Sequence, residues 1–323
     1  MSRASFVLKT VVSAAAWLTA SALFASPADA EERYASYVMN ATTDEVLHAR
    51  FADDERYPAS LTKVMTLYML FDALKAGTLT LSERLPVSRA ADRMPASDLG
   101  VAAGTTISVE DAIYALVTKS ANDVAVVVAE RIGGTEDRFA ALMTVKARQL
   151  GLENTRFYNS SGLPDSRQIT TARDMATLAE AILDDHGDYY HYFSNERFTW
   201  GRKTYKNHNT LLEDVNGVDG IKTGYTRASG FNLMASATRD GQRIIAIMLG
   251  GNSARARNAH VEDLIEAAYM TLETRPSDRP ALRTRIAFTD VNEPPLAISG
   301  ISAGIAEGDT EGVEGAAEAA LIE

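Results

Sequence analysis

The chain of 323 residues contains no cysteine. This absence excludes a disulfide framework, a cysteine-ligated zinc site, a thiol nucleophile and a lipid anchor on cysteine. Five histidines are scattered along the chain without an HExxH sequence, so neither a catalytic metal nor another cofactor is expected. Basic residues are also few: 32 Lys and Arg stand against 43 Asp and Glu, the net charge is −11, and no basic stripe is present. These features argue against nucleic acid as a partner.

We expect residues 1–30 to be an export signal peptide. Arg3 and Lys9 precede an apolar run, and the small-residue sequence Ala28-Asp29-Ala30 follows it as a cleavage site. The alternative is a retained membrane anchor, because residues 10–28 carry no charge and could almost span a bilayer. Cleavage is the preferred interpretation. It predicts an exported, soluble, periplasmic protein with no stable membrane anchor.

The other end of the chain is polar. Residues 276–323 contain a single aromatic residue, Phe288, and the last 18 residues carry six acidic groups and no basic one. Such a segment cannot bury enough apolar surface to offset its ordering entropy. We therefore expect residues 31–275 to form one folded catalytic domain, and residues 276–323 to form an acidic, largely disordered tail.

The predicted elements between these ends define a fold of the α+β class. Alternating apolar residues predict one hairpin over Tyr37–Leu47 and another over Phe231–Leu249, the second turning at Asp240-Gly241. Helices with apolar periodicity lie between the hairpins, and a final helix is expected over Ala259–Leu272. The middle helices are expected to begin near Ser60, after Ser108, near Asp123, after Thr135 and after Thr171, the last of them ending at Leu183. This order predicts one antiparallel sheet, formed by N- and C-terminal strands, beside a helical cluster.

The sequence Ser60-Leu61-Thr62-Lys63 stands at the start of a predicted helix. Its spacing puts the Ser60 and Lys63 side chains on one face, so that the amine can reach the hydroxyl. Lysine can accept the serine proton only if its pKa is lowered, which burial and a second cation would do; Lys222 is the candidate for that cation. The alternative is that Ser60 caps the helix and Lys63 is a solvated surface lysine. The apolar neighbours of Lys63 favour a nucleophile and its base.

The sequence Ser120-Ala121-Asn122 lies between two predicted helices. Serine and asparagine are ordinary turn residues, and taken alone this sequence is interpreted as a turn. In a functional interpretation, Ser120 offers a hydroxyl that can pass a proton. Asn122 then offers an amide that can hold a substrate carbonyl or Lys63.

The sequence Lys222-Thr223-Gly224 falls on a predicted edge strand. A strand edge has unpaired N–H and C=O groups to which an extended peptide can add as a further strand, and Gly224 lets the ligand backbone come close. Lys222 and Thr223 would bind the end of that peptide. The alternative is a turn with an exposed lysine.

Taken together and in this order, the three sequences resemble those of the penicillin-binding serine D-alanyl-D-alanine carboxypeptidases, the low-molecular-mass D,D-peptidases. The resemblance covers about residues 33–272. It includes the stretches Asn159–Pro164, Thr171–Ala176 and Asp219–Thr226. It implies a fold like that of the serine β-lactamases and D,D-peptidases. It also implies removal of the terminal D-alanine from peptidoglycan stem pentapeptides through an acyl-enzyme, with β-lactams as covalent inhibitors.

Carried over to the matching positions, the resemblance implies four catalytic residues. Ser60 would be the acylated nucleophile and Lys63 its general base. Ser120 and Asn122 would form the second face of the site. No metal takes part.

The resemblance also implies a set of substrate-binding groups. The sequence Lys222-Thr223-Gly224 would hold the terminal carboxylate, and the backbone N–H groups of Ser60 and Tyr225 would form an oxyanion hole. An arginine after the last strand often assists in binding the carboxylate. Arg257 is the expected residue and Arg255 the alternative, because a planar guanidinium suits a carboxylate.

Three other activities remain open at this stage. A D,D-endopeptidase acting on cross-linked peptides would use the same residues. A serine β-lactamase would share the three sequences, but the region Asn154–Arg173 holds no glutamate to speed deacylation. A non-catalytic peptidoglycan binder would have lost Ser60 or Lys63, and both are present.

The 48 residues after Arg275 are too few and too acidic for the second domain and amphipathic anchor of many family members.

Overall fold

A five-stranded antiparallel sheet lies at the centre of the computed structural model, which describes residues 33–274. In chain order the strands are β1 (Ala35–Asn40), β2 (Glu45–Arg50), β3 (Arg84–Pro86), β4 (Thr106–Ser108), β5 (Arg197–Trp200), β6 (Lys203–Lys206), β7 (Val218–Thr226), β8 (Gly230–Arg239) and β9 (Gln242–Gly251). The sheet has the order β2-β1-β9-β8-β7, so the N-terminal strand β1 pairs with the C-terminal strand β9. The predicted α+β class and shared sheet are confirmed. The predicted signal peptide and residues 276–323 of the predicted tail lie outside the described residues.

The six predicted helices occur in the predicted order, with two differences in length, and two helices of four residues each were not predicted. In chain order they are α1 (Thr62–Lys75), α2 (Arg89–Asp92), α3 (Val109–Tyr114), α4 (Asn122–Gly133), α5 (Glu136–Gln149), α6 (Ala172–Tyr190), α7 (Leu211–Asp214) and α8 (Ala254–Glu273). Helix α6 continues past the predicted end at Leu183, through non-helical backbone angles at His186. Helix α8 begins five residues earlier than predicted, because the Ser253 hydroxyl accepts a hydrogen bond from the N–H of Ala256 and caps it there.

Helix α1 is enclosed by the protein on nearly all sides, as its sequence predicted. It packs against α4, α5 and α6. Val64, Leu67 and Phe71 are completely buried, and so is Lys63, although its side chain is ionisable. A helix that is apolar all round belongs in a core. Burial of its first turn therefore decides the environment of Lys63.

The sheet is covered on both faces, which explains why β9 has a continuous apolar run rather than an alternating one. The side chains of Ile245 and Ile247 belong to the main core beneath the helices. The alternate residue Ile244 is equally buried outside that core, as are Leu264 and Ile265 of α8. No helix within residues 33–274 combines the length and the apolar composition that a membrane span needs.

Strand β7 is the last strand of the sheet, so its outer edge is not paired with another strand of residues 33–274. The predicted edge position is therefore confirmed. Beside β7 lies the short 3₁₀ turn Ala59–Leu61, which leads directly into α1. The edge of the sheet and the buried start of α1 consequently meet.

Candidate active site

The three sequences singled out above meet at one pocket of about 440 Å³, called here the central pocket. The predicted site residues that line it are Ser60, Ser120, Asn122, Thr223, Gly224, Tyr225 and Arg257. Lys63 and Lys222 lie behind this lining, 0% and 1% exposed. The structure thus brings all nine predicted residues together.

Lys63 has three hydrogen-bond partners around its amine. Nζ lies 3.3 Å from Ser60 Oγ and 2.8 Å from Asn122 Oδ1, and it also contacts the carbonyl oxygen of Ser161. Burial, and then the positive charge of Lys222, hold the pKa of Lys63 well below its usual value; Asp123 and Glu136 act in the opposite direction. A solvated surface lysine is therefore ruled out by the geometry.

Ser60 is held at the pocket floor by the backbone before α1. Ala59 has a φ of 48°, in the left-handed region that side chains other than glycine seldom adopt. Asn232 of β8 donates from Nδ2 to the carbonyl oxygens of Tyr57 and Pro58, at 2.9 and 3.1 Å. These bonds fix the chain that leads into Ser60. The α-helix itself begins at Thr62, so Ser60 belongs to the 3₁₀ turn rather than to the first turn of α1.

Two glycines let the backbone pack closely around Ser60. A Cβ atom on Gly162 would lie 1.9 Å from the carbonyl oxygen of Ala59, and Gly162 has a φ of 85°. A Cβ atom on Gly224 would lie 3.0 Å from the backbone nitrogen of Ser60. Strand β7 and the turn at Gly162 therefore both pack closely against the 3₁₀ turn, and both contacts need a glycine.

Ser120 and Asn122 form the opposite wall. Ser120 has a φ of 60° and a ψ of 41°, and its buried Oγ has no hydrogen-bond partner among the described residues. Asn122, the first residue of α4, donates from Nδ2 to the carbonyl oxygen of Pro95 while its Oδ1 accepts from Lys63. Its neighbour Asp123 accepts hydrogen bonds from the backbone N–H groups of Leu99, Gly100 and Val101. The amide is thus oriented, and the hydroxyl is left for a ligand.

The end of the pocket near β7 is positively charged. Burial and the neighbouring Arg257 lower the pKa of Lys222 to about 7, and burial lowers the pKa of Arg257 to about 10. Lys222 Nζ and Arg257 Nη1 bond only to main-chain carbonyls, of Thr223 and Asn232. Within residues 33–274 neither cation is paired with a carboxylate. An anionic ligand would therefore be attracted to this end.

The two arginines considered for this role differ in position. Arg257 lies in the first turn of α8 and lines the pocket, 4% exposed. Arg255 is exposed and is not among the lining residues.

Sequence reasoning gave no role to the segment that completes the lysine environment. The carbonyl of Ser161 contacts Lys63, and the Asn159 side chain accepts from the N–H of Gly162 at 2.7 Å. Glu136 accepts from the N–H and the hydroxyl of Ser160, at 3.0 and 2.7 Å. The pair Ser161-Gly162 was a visible signal for a turn, but no signal linked Glu136 to it. His208, which also lines the pocket, was missed as well; burial and the surrounding cations lower its pKa to about 4.

Comparison with known proteins identifies the family of the chain. The family model for D-alanyl-D-alanine carboxypeptidases, peptidase type S11, matches residues 24–253. The chain is 35% identical to the D-alanyl-D-alanine carboxypeptidase DacC of Escherichia coli, over 79% of this chain and 66% of that protein. It is 32% identical to DacF of Bacillus subtilis, over 76% of this chain and 64% of that protein. The chain belongs to this family, although it matches less than two thirds of the length of these two relatives.

Solved structures give the same result. Penicillin-binding protein 5 of Haemophilus influenzae superposes with a TM-score of 0.71 at 33% identity, covering 73% of this chain and 70% of that one. Penicillin-binding protein D2 of Listeria monocytogenes, in its ampicillin-bound form, gives a TM-score of 0.67 at 30% identity, covering 73% of this chain and 96% of that one. The fold is therefore that of the penicillin-binding D,D-peptidases, as the resemblance implied.

Gly162→Ala should destabilise the protein far more than Gly151→Ala. Both glycines have a φ above 80°, so each alanine costs about 1–2 kcal/mol of backbone strain. Only the Gly162 methyl group meets backbone, since a Cβ on Gly151 has no atom within 4 Å. Urea unfolding should show a loss of about 1 kcal/mol for Gly151→Ala and of more than about 3 kcal/mol for Gly162→Ala. Equal losses would show that the contact with Ala59 is not tight.

Proposed function

We propose that the protein is a serine D-alanyl-D-alanine carboxypeptidase that removes the terminal D-alanine from peptidoglycan stem pentapeptides. The observation that carries this proposal is the buried Lys63 amine, 3.3 Å from Ser60 Oγ, in a pocket whose other end presents Lys222 and Arg257. Such a pocket combines an activated nucleophile with a binding site for a carboxylate. Membership of the family supports the same activity.

The hydrogen bonds of Lys63 support its role as general base. An uncharged lysine amine has two N–H groups and one lone pair. The carbonyl oxygens of the Asn122 side chain and of Ser161 can accept the two N–H groups. The lone pair is then left to accept the hydroxyl proton of Ser60. The lowered pKa of Lys63 keeps this uncharged form populated.

The reaction is an acyl transfer in two steps. Ser60 Oγ bonds to the carbonyl carbon of the penultimate D-alanine while its proton passes to Lys63. The C–N bond then breaks, and the leaving amine receives a proton through Lys63 and the hydroxyl of Ser120. Water afterwards attacks the ester carbon and gives a proton to Lys63. The bond to Ser60 Oγ then breaks, Ser60 Oγ takes that proton back, and the shortened peptide leaves as a carboxylic acid. The N–H groups of Ser60 and Tyr225 stabilise the oxyanion, by about 3 kcal/mol each in related chemistry.

Substrate orientation follows from the charged end of the pocket and from the strand edge. The terminal carboxylate binds between Thr223, Lys222 and Arg257, which otherwise have no anionic partner among the described residues. The peptide backbone adds to the free edge of β7. A β-lactam presents an amide and a carboxylate at matching positions, so it acylates Ser60 by the same path and acts as a covalent inhibitor.

We further propose that this activity takes place in the periplasm. The signal-like residues 1–30 support export, and residues 31–275 would form the catalytic domain with 276–323 as an acidic tail.

A fluorescent penicillin and a pentapeptide test the proposal together. The wild-type protein should bind the penicillin covalently and release D-alanine from the pentapeptide, whereas Ser60→Ala should do neither. Lys63→Met should slow acylation by at least about 100-fold, because proton transfer to a positioned base contributes that much. Lys75→Met is the matched control, since this lysine lies in the last turn of the same helix and, within the described part of the chain, its Nζ bonds only to the carbonyl of Asp185.

Two outcomes would contradict the proposal. Undiminished labelling of Ser60→Ala would remove Ser60 as the nucleophile. Cleavage of a cross-linked peptide dimer in preference to the pentapeptide would assign endopeptidase activity instead.

Arg257→Gln should weaken recognition of the carboxylate, while Arg255→Gln should not. Loss of one charge-assisted hydrogen bond lowers kcat/KM by about 10- to 100-fold. Steady-state release of D-alanine measures this, and Arg255→Gln should stay within about twofold of the wild type. A larger effect at Arg255 than at Arg257 would reverse the assignment.

A further inference from the structure

A second pocket, of about 200 Å³, adjoins the central pocket and has no part in the reaction described above. It is called here the outer pocket, and its lining consists of Tyr57, Pro58, Ala59, Gly162, Leu163, Pro164, Asp165, Ser166, Gln168, Thr226 and Ala228. Gly162, Leu163 and Thr226 line both pockets. The two pockets therefore form a continuous surface past Ser60.

The direction of the bound peptide places its remaining residues at the outer pocket. A peptide that pairs antiparallel with β7 and has its carboxylate at Lys222 and Thr223 runs backwards along the strand. Its N-terminal part then passes Tyr225 and reaches Thr226, the last residue of β7. Thr226 lines the outer pocket. The residue before the two D-alanines thus lies nearest to this pocket.

The lining of the outer pocket has an apolar part and one charged residue. Tyr57, Pro58, Leu163 and Pro164 offer apolar surface, and Asp165 is the only charged residue among the lining residues named above. The hydrogen bonds from Arg167 lower the pKa of Asp165 to about 2, so the carboxylate is charged at neutral pH. This combination matches a long aliphatic side chain that ends in a positive charge.

Asp165 keeps capacity for a further donor although it is already paired. Arg167 donates from Nε and Nη2 to the two carboxylate oxygens, at 2.9 and 2.6 Å, and from its backbone N–H to Oδ1 at 2.9 Å. A carboxylate offers about four acceptor sites, so at least one is left. The Arg167 side chain is 65% exposed and lies over the ring of Tyr158, on the solvent side of the pair.

The loop that carries Asp165 is held in place before any ligand binds. The Gln168 side chain accepts hydrogen bonds from the N–H groups of Tyr158 and Asn159, at 2.9 and 3.1 Å. Asn159 in turn accepts from the N–H of Gly162. The outer pocket is therefore preformed, which reduces the entropy that binding must overcome.

We propose that the outer pocket is the subsite for the side chain of the third stem-peptide residue, and that it selects a diamino acid whose free ammonium group binds to Asp165. This inference rests on the proposed carboxypeptidase function and deepens it. It assigns to Asp165 and the apolar lining a role in substrate choice, separate from the bond-breaking residues.

Two tripeptides serve as the probes: acetyl-L-lysyl-D-alanyl-D-alanine with a free ε-amine, and the same peptide with the ε-amine acetylated. Release of D-alanine gives kcat/KM for each, and labelling with penicillin gives the concentration of folded sites. The wild-type protein should prefer the free amine by about two- to fivefold, the range that partly exposed ion pairs give. Asp165→Asn should abolish this preference by lowering kcat/KM for the free-amine peptide alone.

Arg167→Gln is the matched variant. It breaks the same ion pair but leaves Asp165 in place and unshared, so the preference for the free amine should persist or increase. A purely structural role of the Asp165–Arg167 pair predicts instead that both variants act alike on both peptides. If Asp165→Asn is not labelled by penicillin, the preference for the free-amine peptide is measured on Asp165→Ser and Arg167→Gln instead.

The outcomes separate the two proposals. Equal rates on the two peptides in the wild type, or an unchanged preference in Asp165→Asn, would overturn the subsite while leaving the carboxypeptidase intact. No release of D-alanine from either peptide would contradict the proposed function itself.

Discussion

A lysine amine enclosed in the protein next to a serine hydroxyl is the contact on which the rest of this structure depends. Burying an ammonium group is costly, and the cost is avoided if the amine loses its proton. Helix α1 creates this situation, because its apolar residues draw its first turn, and Lys63 with it, into the core. The same burial that stabilises the helix therefore makes the amine a base.

The other features of the site orient that amine and keep it uncharged. The Asn122 amide and the Ser161 carbonyl both accept from the amine and so set the direction of its lone pair. Lys222 adds positive charge that opposes protonation, and Arg257 does the same to Lys222. In the proposed function, the carboxylate of the substrate would offset this mutual repulsion. The charges of the site are thus complementary to a peptide that ends in a carboxylate.

Much of this arrangement could be predicted from the sequence. Serine and lysine three residues apart at the start of an apolar helix indicate the proposed nucleophile and its base, and an edge strand follows from the final hairpin. Contacts made by backbone atoms could not be predicted. Every residue has a backbone carbonyl, so the sequence does not indicate that the carbonyl of Ser161 contacts Lys63. Glu136 was missed for the same kind of reason: its partner Ser160 is distant in the chain. Strands β3 and β4 have three residues each, too few for an alternating pattern to be recognised.

The pH dependence of acylation by a penicillin tests the central claim most directly. Only the uncharged form of Lys63 can accept the serine proton, so the second-order rate constant must fall as the pH drops below the pKa of Lys63. Because that pKa is lowered, we predict that the rate reaches its plateau well below pH 10.5, the ordinary value for lysine. A rate that still rises about tenfold per pH unit up to pH 10.5 would show an ordinary lysine at position 63 and contradict the account.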